Sequence, residues 1–290
     1  MKGVIWAGGS GTRLSPLTHS ISKQLLPVYN KPMIYYPISL LMLVNIKDIL
    51  IISSKEQLPL YRKLFKNGNH LGINIKYKIQ LKPRGIAEAL LISKDFIKDD
   101  DLCLILGDNI FFGSKVRETL LKSIEFTKKK QVASLFGKYV NHPSSYGVAK
   151  FNKKNEIIKI LEKPKKFISN IAMTGLYCFP KDVQSKVKLI KPSKRKELEI
   201  TDVNNLYIKD KKINFQIFDR GQVWFDMGTP DKLLDASLFV QSVEKRQNQM
   251  IGCLEEIALK NNFITKNQYK TLINNLNKKN YYFKYLKNFL

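Results

Sequence analysis

Hydrophobic positions fall into short uninterrupted runs in the first half of the chain. Val4-Ile5-Trp6-Ala7, Ile49-Leu50-Ile51-Ile52-Ser53 and Leu102-Cys103-Leu104-Ile105-Leu106 are of strand length, and the first and last stop at glycine. Runs without alternation predict strands buried on both faces. Ile75 to Gln80 alternates like a strand, while Lys55 to Phe65 and the stretch through Ala87-Glu88-Ala89-Leu90-Leu91, entered by the turn Pro83-Arg84-Gly85, predict helices. Strands alternating with helices predict an α/β fold with a mostly parallel sheet covered on both faces, in which ligands bind beyond the carboxyl ends of the strands.

From Val132 the pattern becomes strand-rich. Val132 to Tyr139, Gly147 to Phe151, Ile157 to Leu161 and Thr174 to Phe179 are strand candidates, and a helix is expected from Glu199-Ile200-Thr201-Asp202. Phe215 to Phe218 and Gln222 to Phe225 read as a pair of strands. Thr229 to Leu290 reads as helical, with Leu233, Leu234, Ala236, Phe239 and Val240 at helical spacing. Repeats and low-complexity linkers are absent. The expected organisation is one domain, 1–290, with a core over 1–130, a strand-rich part over 131–228 and C-terminal helices over 229–290.

Composition narrows the class. With 44% hydrophobic residues the chain is globular, and no apolar run reaches the roughly 18 residues that span a membrane. The first apolar run begins almost at Met1 and passes straight into glycines, unlike a signal peptide, so a soluble cytoplasmic protein without membrane partners is expected. Cys103, Cys178 and Cys253 are too far apart for a CxxC pair or a disulfide framework. The formal charge of +26 raises nucleic acid as a partner, but seven of the 50 basic residues are arginine and the other 43 are lysines spread along the whole chain. That spread predicts solvated faces and no nucleic-acid partner.

Candidate chemistry begins at Gly8-Gly9-Ser10-Gly11-Thr12-Arg13, where a buried strand meets three glycines, a hydroxyl and a guanidinium. Backbone N–H groups without Cβ atoms can approach a phosphate closely, a following helix would add its positive end, and Arg13 supplies a fork of donors. The glycines alone fit a plain strand-to-helix turn equally well, since their spacing matches neither the dinucleotide fingerprint nor a Walker loop. Asp108, directly after Gly107, and Asp226, two residues before Gly228, each close an apolar strand and together could hold a hard cation; singly, each fits a turn former or cap. In Glu162-Lys163-Pro164 the carboxylate and the ammonium point to opposite faces unless the backbone bends, so this is either a sugar and phosphate contact or an edge charge pair. Lys23, in Ser22-Lys23-Gln24-Leu25-Leu26-Pro27, reaches the same phosphates if its loop folds back over the glycines.

Together these motifs resemble the sugar nucleotidyltransferases. Ala7-Gly8-Gly9-Ser10-Gly11-Thr12-Arg13-Leu14 and Ser22 to Pro27 look like that family's signature loop and second basic motif. Lys31 to Pro37, Leu106 to Phe111, Glu197 to Asp202 and the tail around Cys253-Leu254-Glu255-Glu256-Ile257-Ala258 follow it too, so the likeness covers essentially the whole chain. Within the family the motifs follow the members that form dTDP-glucose from dTTP and α-D-glucose 1-phosphate. The resemblance implies a Rossmann-like fold with an inserted sugar-binding sheet, in-line attack on the α-phosphorus with Mg2+, and the first step toward dTDP-L-rhamnose or related deoxysugars. It also implies a homotetramer with a dTDP-sugar feedback inhibitor near Cys253 and Glu256.

Carried over by position, Gly8, Gly11, Thr12 and Gln24 would cradle the nucleotide, Arg13 would hold the departing pyrophosphate and Lys23 would neutralise the triphosphate. Gln80 and Gly85 match positions that recognise thymine. Asp108 and Asp226 match the magnesium ligands. Asn109, Tyr146, Gly147, Glu162, Lys163 and Arg195 match glucose and sugar-phosphate contacts, with Arg13, Lys23, Asp108, Lys163 and Asp226 as the catalytic set and Trp224 packed beneath Asp226. Four departures stand out. Trp6 replaces a smaller aliphatic residue in the first strand, which must accommodate its ring; Arg84 adds charge beside the base pocket; Lys196 stands where a glycine is usual; and Met227 replaces a small hydroxyl residue.

Overall fold

The computed structural model describes every residue except Ser10, which therefore lies outside the account of the glycine turn given below. Strand β1 (Lys2–Trp6) lies between β4 (Asp48–Ser53) and β6 (Leu102–Leu106), with β5 (Asn74–Ile79) outside β4, all four parallel. Val4, Leu50, Ile52, Leu102 and Leu104 face one core, while Ile5, Ile49, Ile51, Cys103 and Ile105 face the other. That two-residue alternation, with apolar residues on both sides, is why these strands read as unbroken hydrophobic runs.

The remaining elements, in chain order, complete three layers. Between β1 and β4 come a short ladder, β2 (Pro27–Val28) with β3 (Lys31–Pro32), and helix α1 (Tyr35–Leu43). Helices α2 (Leu58–Phe65), α3 (Glu88–Ile92) and α4 (Lys94–Ile97) precede β6, and β7 (Asn109–Phe112) and α5 (Val116–Lys130) follow it. Then come β8 (Ala133–Tyr139), β9 (Gly147–Phe151), β10 (Ile157–Glu162), β11 (Ile171–Phe179), α6 (Val183–Lys186), α7 (Ile200–Lys209), β12 (Ile213–Phe218) and β13 (Val223–Asp226). Four helices close the chain: α8 (Pro230–Gln247), α9 (Leu254–Lys260), α10 (Lys266–Asn274) and α11 (Tyr281–Lys287). Side chains from α1, α2, α5 and α9 to α11 cover one face of the sheet, and those from α3, α4, α6 and α7 cover the other.

The strand-rich part continues the same sheet. Fully buried β11 pairs antiparallel with β6, β8 and β9, giving the order β10-β9-β11-β6-β1-β4-β5, with β8 on β11 and β12 parallel on β8. The expected pair of strands near residue 220 does not form. β12 joins β8, whereas β13 pairs antiparallel with β7, Asp226 lying opposite Asn109. Helix α2 starts at Leu58 rather than Lys55, with Pro59 in its first turn where the missing N–H costs no bond. Helix α8 is started by Thr229, whose hydroxyl accepts from the Lys232 N–H, and by Pro230 at its first turn. Among the described residues no helix is long and apolar enough to cross a membrane.

Candidate active site

The carboxyl ends of β1 and β6 open into a cavity of about 410 Å3. Its lining gathers Gly8, Gly11, Thr12, Arg13, Lys23, Gln24, Gly85, Asp108, Asn109, Tyr146, Gly147, Glu162, Lys163, Arg195 and Asp226, every sequence-chosen site residue except Gln80. Gln80 lines an adjoining cavity of about 290 Å3, on the far side of the Gly8-Gly9 turn.

No α-helix follows the glycine turn. The chain makes a single 3-10 turn, Thr12–Leu14, and stops, because Pro16 cannot continue a helix and restricts the residue before it. A three-residue turn contributes no macrodipole, so the phosphate-facing character rests on backbone N–H groups and Arg13. Gly9 and Gly11 have φ of 94° and 62°, a region glycine enters without strain. Buried Leu14 anchors the turn, while Arg13 is exposed and among the described residues has no ion-pair partner. Behind the turn, the Gln24 amide donates to the Gly8 carbonyl (3.3 Å), and the Gly107 N–H donates to the Trp6 carbonyl (2.8 Å).

Both candidate metal ligands are tied to lysines. The buried Lys23 ammonium donates to Asp108 Oδ2, and Asn109 Nδ2 donates to Asp108 Oδ1 at 2.8 Å. Burial, the largest single influence, would raise the Asp108 pKa, but the Lys23 charge together with the hydrogen bonds from Lys23, Asn109 and the backbone outweighs it and holds the carboxyl below its ordinary range. Lys232 Nζ donates to Asp226 Oδ2 (3.0 Å) and to Tyr146 Oη (2.6 Å). Partial burial would lower the Lys232 pKa, but its bond to Tyr146 and the charge of Asp226 keep it above the usual lysine range. Lys232 was not evident from sequence. One signal was available: a lysine in the first turn of α8 opposes the helix dipole, which points to a reason outside the helix.

Asp108 and Asp226 are brought together by the β7–β13 ladder and by the Met227 N–H, which donates to the Asp108 carbonyl at 3.2 Å. Among the described residues no group of three His, Cys, Asp or Glu could hold a metal ion. A pair of carboxylates beside a phosphate turn fits magnesium, which is held by one or two carboxylates with substrate phosphates and water completing its shell, better than a metal that needs an all-protein cage.

At the opposite wall, the bend expected at Glu162-Lys163-Pro164 is present. Lys163 has φ 43° and both side chains line the same cavity. Arg195 grips Glu199 through two bonds from Nη2 (2.9 and 2.8 Å) and reaches Glu162 Oε1 at 3.3 Å, while Thr201 Oγ1 donates to Glu162 Oε2 at 2.6 Å. Burial, then the charges of Glu199 and Glu162, push the neighbouring Asp202 carboxyl above its usual range. Glu199 and Thr201, missed from sequence, therefore hold the groups that were chosen.

Several expectations change. Asn109 is buried and sits behind Asp108; its Oδ1 accepts from Trp224 Nε1 (2.6 Å) and the Gly175 N–H (3.1 Å). Trp224 packs on Asn109 and the Tyr146 ring (centroids 5.2 Å apart). Trp6 is half-buried: it packs against the core that Val4, Leu50 and Leu104 face, lines the cavity as well, and donates from Nε1 to Gln80 Oε1 at 2.9 Å. Arg84 is exposed and outside the lining of both cavities. Gly85 has φ 98°, and a Cβ there would lie 2.4 Å from the Leu198 carbonyl oxygen. Lys196 adopts the left-handed conformation (φ 61°) that suits the usual glycine, and Met227 is fully buried against Leu14, Tyr36 and α8.

Residues 2–243 match the nucleotidyl transferase family model. A glucose-1-phosphate thymidylyltransferase of Neisseria meningitidis is 44% identical over 97% of this chain and 96% of its own length, and one from Xanthomonas campestris is 45% identical over 98% and 95%. A crystal structure described as a glucose-1-phosphate thymidylyltransferase of Bacillus anthracis in complex with sucrose superimposes with a TM-score of 0.76 at 40% identity, covering 82% of this chain and 94% of that one. A UDP-glucose pyrophosphorylase complexed with UDP-glucose, 24% identical with a TM-score of 0.73, shares the fold over 84% of this chain and 98% of its own. The motifs, the sheet and the relatives agree that this chain belongs to the nucleotidyl transferase family, among its glucose-1-phosphate thymidylyltransferases.

Proposed function

We propose that the protein transfers a thymidylyl group from dTTP to α-D-glucose 1-phosphate, releasing dTDP-glucose and pyrophosphate. The observation that carries this reading is one cavity with a glycine turn and Arg13, which has no ion-pair partner among the described residues, on one side, Glu162, Lys163 and Arg195 on the other, and Asp108 and Asp226 near the turn. An oxygen of the sugar phosphate attacks the α-phosphorus in line. One P–O bond forms, the bond to the bridging oxygen of the β-phosphate breaks, and pyrophosphate leaves with that electron pair, so no enzyme intermediate is needed.

The chain's own groups position and neutralise the reactants. Gly8, Gly11 and Thr12 offer backbone donors to the nucleotide, Gln24 braces the turn from behind, Arg13 takes the leaving pyrophosphate and Lys23 the triphosphate. Lys163 holds the sugar phosphate, and Arg195, already bound to Glu199 and Glu162, fixes that wall. Glu162, Tyr146 and the Gly147 backbone meet the sugar hydroxyls, Asn109 sets Asp108, and Gly85 leaves room at the base end. Asp108 and Asp226 would hold Mg2+, which supplies neutralisation of phosphate charge when bound.

The same reading makes the protein a cytoplasmic homotetramer at the start of dTDP-L-rhamnose or related deoxysugar synthesis, inhibited by a dTDP-sugar near Cys253 and Glu256. The likeness of the tail motif supports this. Cys253 and Glu256 are buried, and Glu256 accepts from Tyr285 and Lys260, so the inhibitor would meet the surface beside them. The test is pyrophosphate release from glucose 1-phosphate with dTTP or UTP, with and without Mg2+. Faster release with dTTP supports the assignment. Equal or better use of UTP overturns the thymidine assignment, and no release with either nucleotide overturns the reaction.

A further inference from the structure

A tryptophan stands at the end of the cavity that the reading above assigns to the base. Trp6 closes β1 two residues before Gly8 and lines the larger cavity with Gly8, Pro83, Gly85 and Ile86. Gln80 lines the smaller one with Gly8, Lys82 and Pro83. Gly8, Gly9, Lys23 and Pro83 belong to both linings, and the Trp6–Gln80 hydrogen bond spans between the two.

The ring's placement over the turn is defined by the space around the glycines. A Cβ on Gly8 would lie 2.8 Å from Trp6 Nε1 and 2.4 Å from Gln80 Oε1, and a Cβ on Gly9 would lie 3.5 Å from Trp6 Cη2. The indole therefore spans both glycines, its pyrrole edge over Gly8 and its far edge over Gly9. Gln80 is 4% exposed and its amide is committed: Oε1 accepts from Trp6, and the two N–H groups donate to the Gly85 carbonyl (3.2 Å) and Glu88 Oε2 (2.8 Å). Both amide hydrogens are used, so Gln80 offers no free donor to a base, and the indole N–H is bonded to its oxygen.

We propose that Trp6 is a specificity-determining residue: anchored by Gln80, its indole is the wall against which the nucleobase packs, and by separating the two cavities it limits that base to a pyrimidine. The proposal rests on the nucleotide-binding reading above. A side chain without the ring at position 6 joins the two cavities beside Gly8, adds room for the second ring of a purine and removes the stacking face.

The test uses the full-length protein and the variants Trp6→Leu and Trp6→Phe, each checked for folding by thermal melting. Specificity is measured as kcat/KM for dTTP against dATP and dGTP, with glucose 1-phosphate. Trp6→Leu is expected to raise KM for dTTP about tenfold, with kcat falling far less, and to raise purine kcat/KM at least tenfold. Trp6→Phe, which keeps a ring but loses the N–H to Gln80, should fall between. Because the chain has only two tryptophans, intrinsic fluorescence gives a second readout. dTTP should quench the native protein, and the quench should be largely lost in Trp6→Phe. A folded Trp6→Leu whose dTTP-to-purine ratio stays within twofold of native overturns the proposal, as does an undiminished quench in Trp6→Phe. If the native protein turns over no nucleotide, the enzymatic reading fails instead, and quenching by the same three triphosphates still decides whether Trp6 meets a base.

Discussion

Arg13→Ala separates function from fold with unusual clarity. The side chain is exposed, sits in a three-residue turn anchored by its neighbour Leu14, and among the described residues has no ion-pair partner, so its loss removes little that holds the native state. Truncations of that kind stay within about 0.5 kcal/mol, which in a domain of this size moves the melting temperature by about 2 °C or less. If the guanidinium takes the charge that develops on the leaving pyrophosphate, its loss resembles removal of one preorganised donor: a fall on the order of 10²–10³ in kcat, or about 2.7–4 kcal/mol. Arg13→Lys keeps the charge but loses the two-pronged donor; one missing charged hydrogen bond at about 1.5 kcal/mol predicts a roughly tenfold loss. A third variant tests the position itself. A Cβ on Gly228 would lie 3.1 Å from Arg13 Nη2 and 3.1 Å from Asp226 Oδ1, so Gly228→Ala pushes both groups and should lower turnover without touching either side chain. The assay is the initial rate of pyrophosphate release at saturating dTTP and glucose 1-phosphate, with thermal melting in parallel. Turnover of a folded Arg13→Ala within threefold of native refutes the placement, and a melting temperature lowered by more than about 5 °C refutes the claim that Arg13 is free of the fold.

Other perturbations follow from single contacts. Gly85→Ala places a Cβ 2.4 Å from a backbone oxygen at φ 98°, so at least about 2 kcal/mol of stability and about 5 °C of melting temperature should be lost; an unchanged melting curve would show that the Pro83-Gly85 loop rearranges freely. Lys232→Met leaves Tyr146 and Asp226 without their shared donor and should lower kcat/KM on the order of 10–100-fold, whereas a change under threefold would mark the contact as incidental. Glu255 is held above the ordinary carboxylate range by burial, which outweighs its bond to Tyr282 and the attraction of Lys31, with the Cys253 thiol also facing it. Its raised folded pKa means that the stability contributed by its protonated form is complete below the reference value of 4.5 and is lost as pH rises through the folded pKa. Melting of native protein and Glu255→Gln across that range should therefore diverge in favour of the variant as pH rises, and parallel curves would contradict the burial argument.

The framework was legible because burial on both faces leaves a direct trace, an apolar run bounded by glycine, and because the site lies where those runs stop. β1 and β6 and the groups at their ends, Gly8 to Arg13 and Asp108, could be placed from sequence for that reason. The pairing of β12 and β13 could not. Phe215 to Phe218 and Val223 to Asp226 are separated by Asp219-Arg220-Gly221-Gln222, which imitates a hairpin connection, yet each strand finds its partner far back in the chain, at β8 and β7. Strand propensity says that a segment extends but not which edge it completes.

What sequence leaves illegible inside the site has one cause. Type and spacing identify a side chain that can do chemistry, but not what already occupies its polar atoms. Asn109 and Gln80 carry amides suited to a sugar or a base, and in the folded chain the first already bonds Trp224, Gly175 and Asp108, the second Trp6, Gly85 and Glu88. Buried polar groups must find partners, so an amide deep in a site more often sets its neighbours than touches a ligand, and recognition passes to whatever stands in front. At the end proposed to take phosphate that is Arg13. At the end proposed to take the base it is Trp6, whose size marked it as a packing problem for β1. The same indole N–H that a hydrophobic interior would have left unpaired is satisfied by Gln80, and that single bond lets a tryptophan packed on the core also form part of the cavity wall.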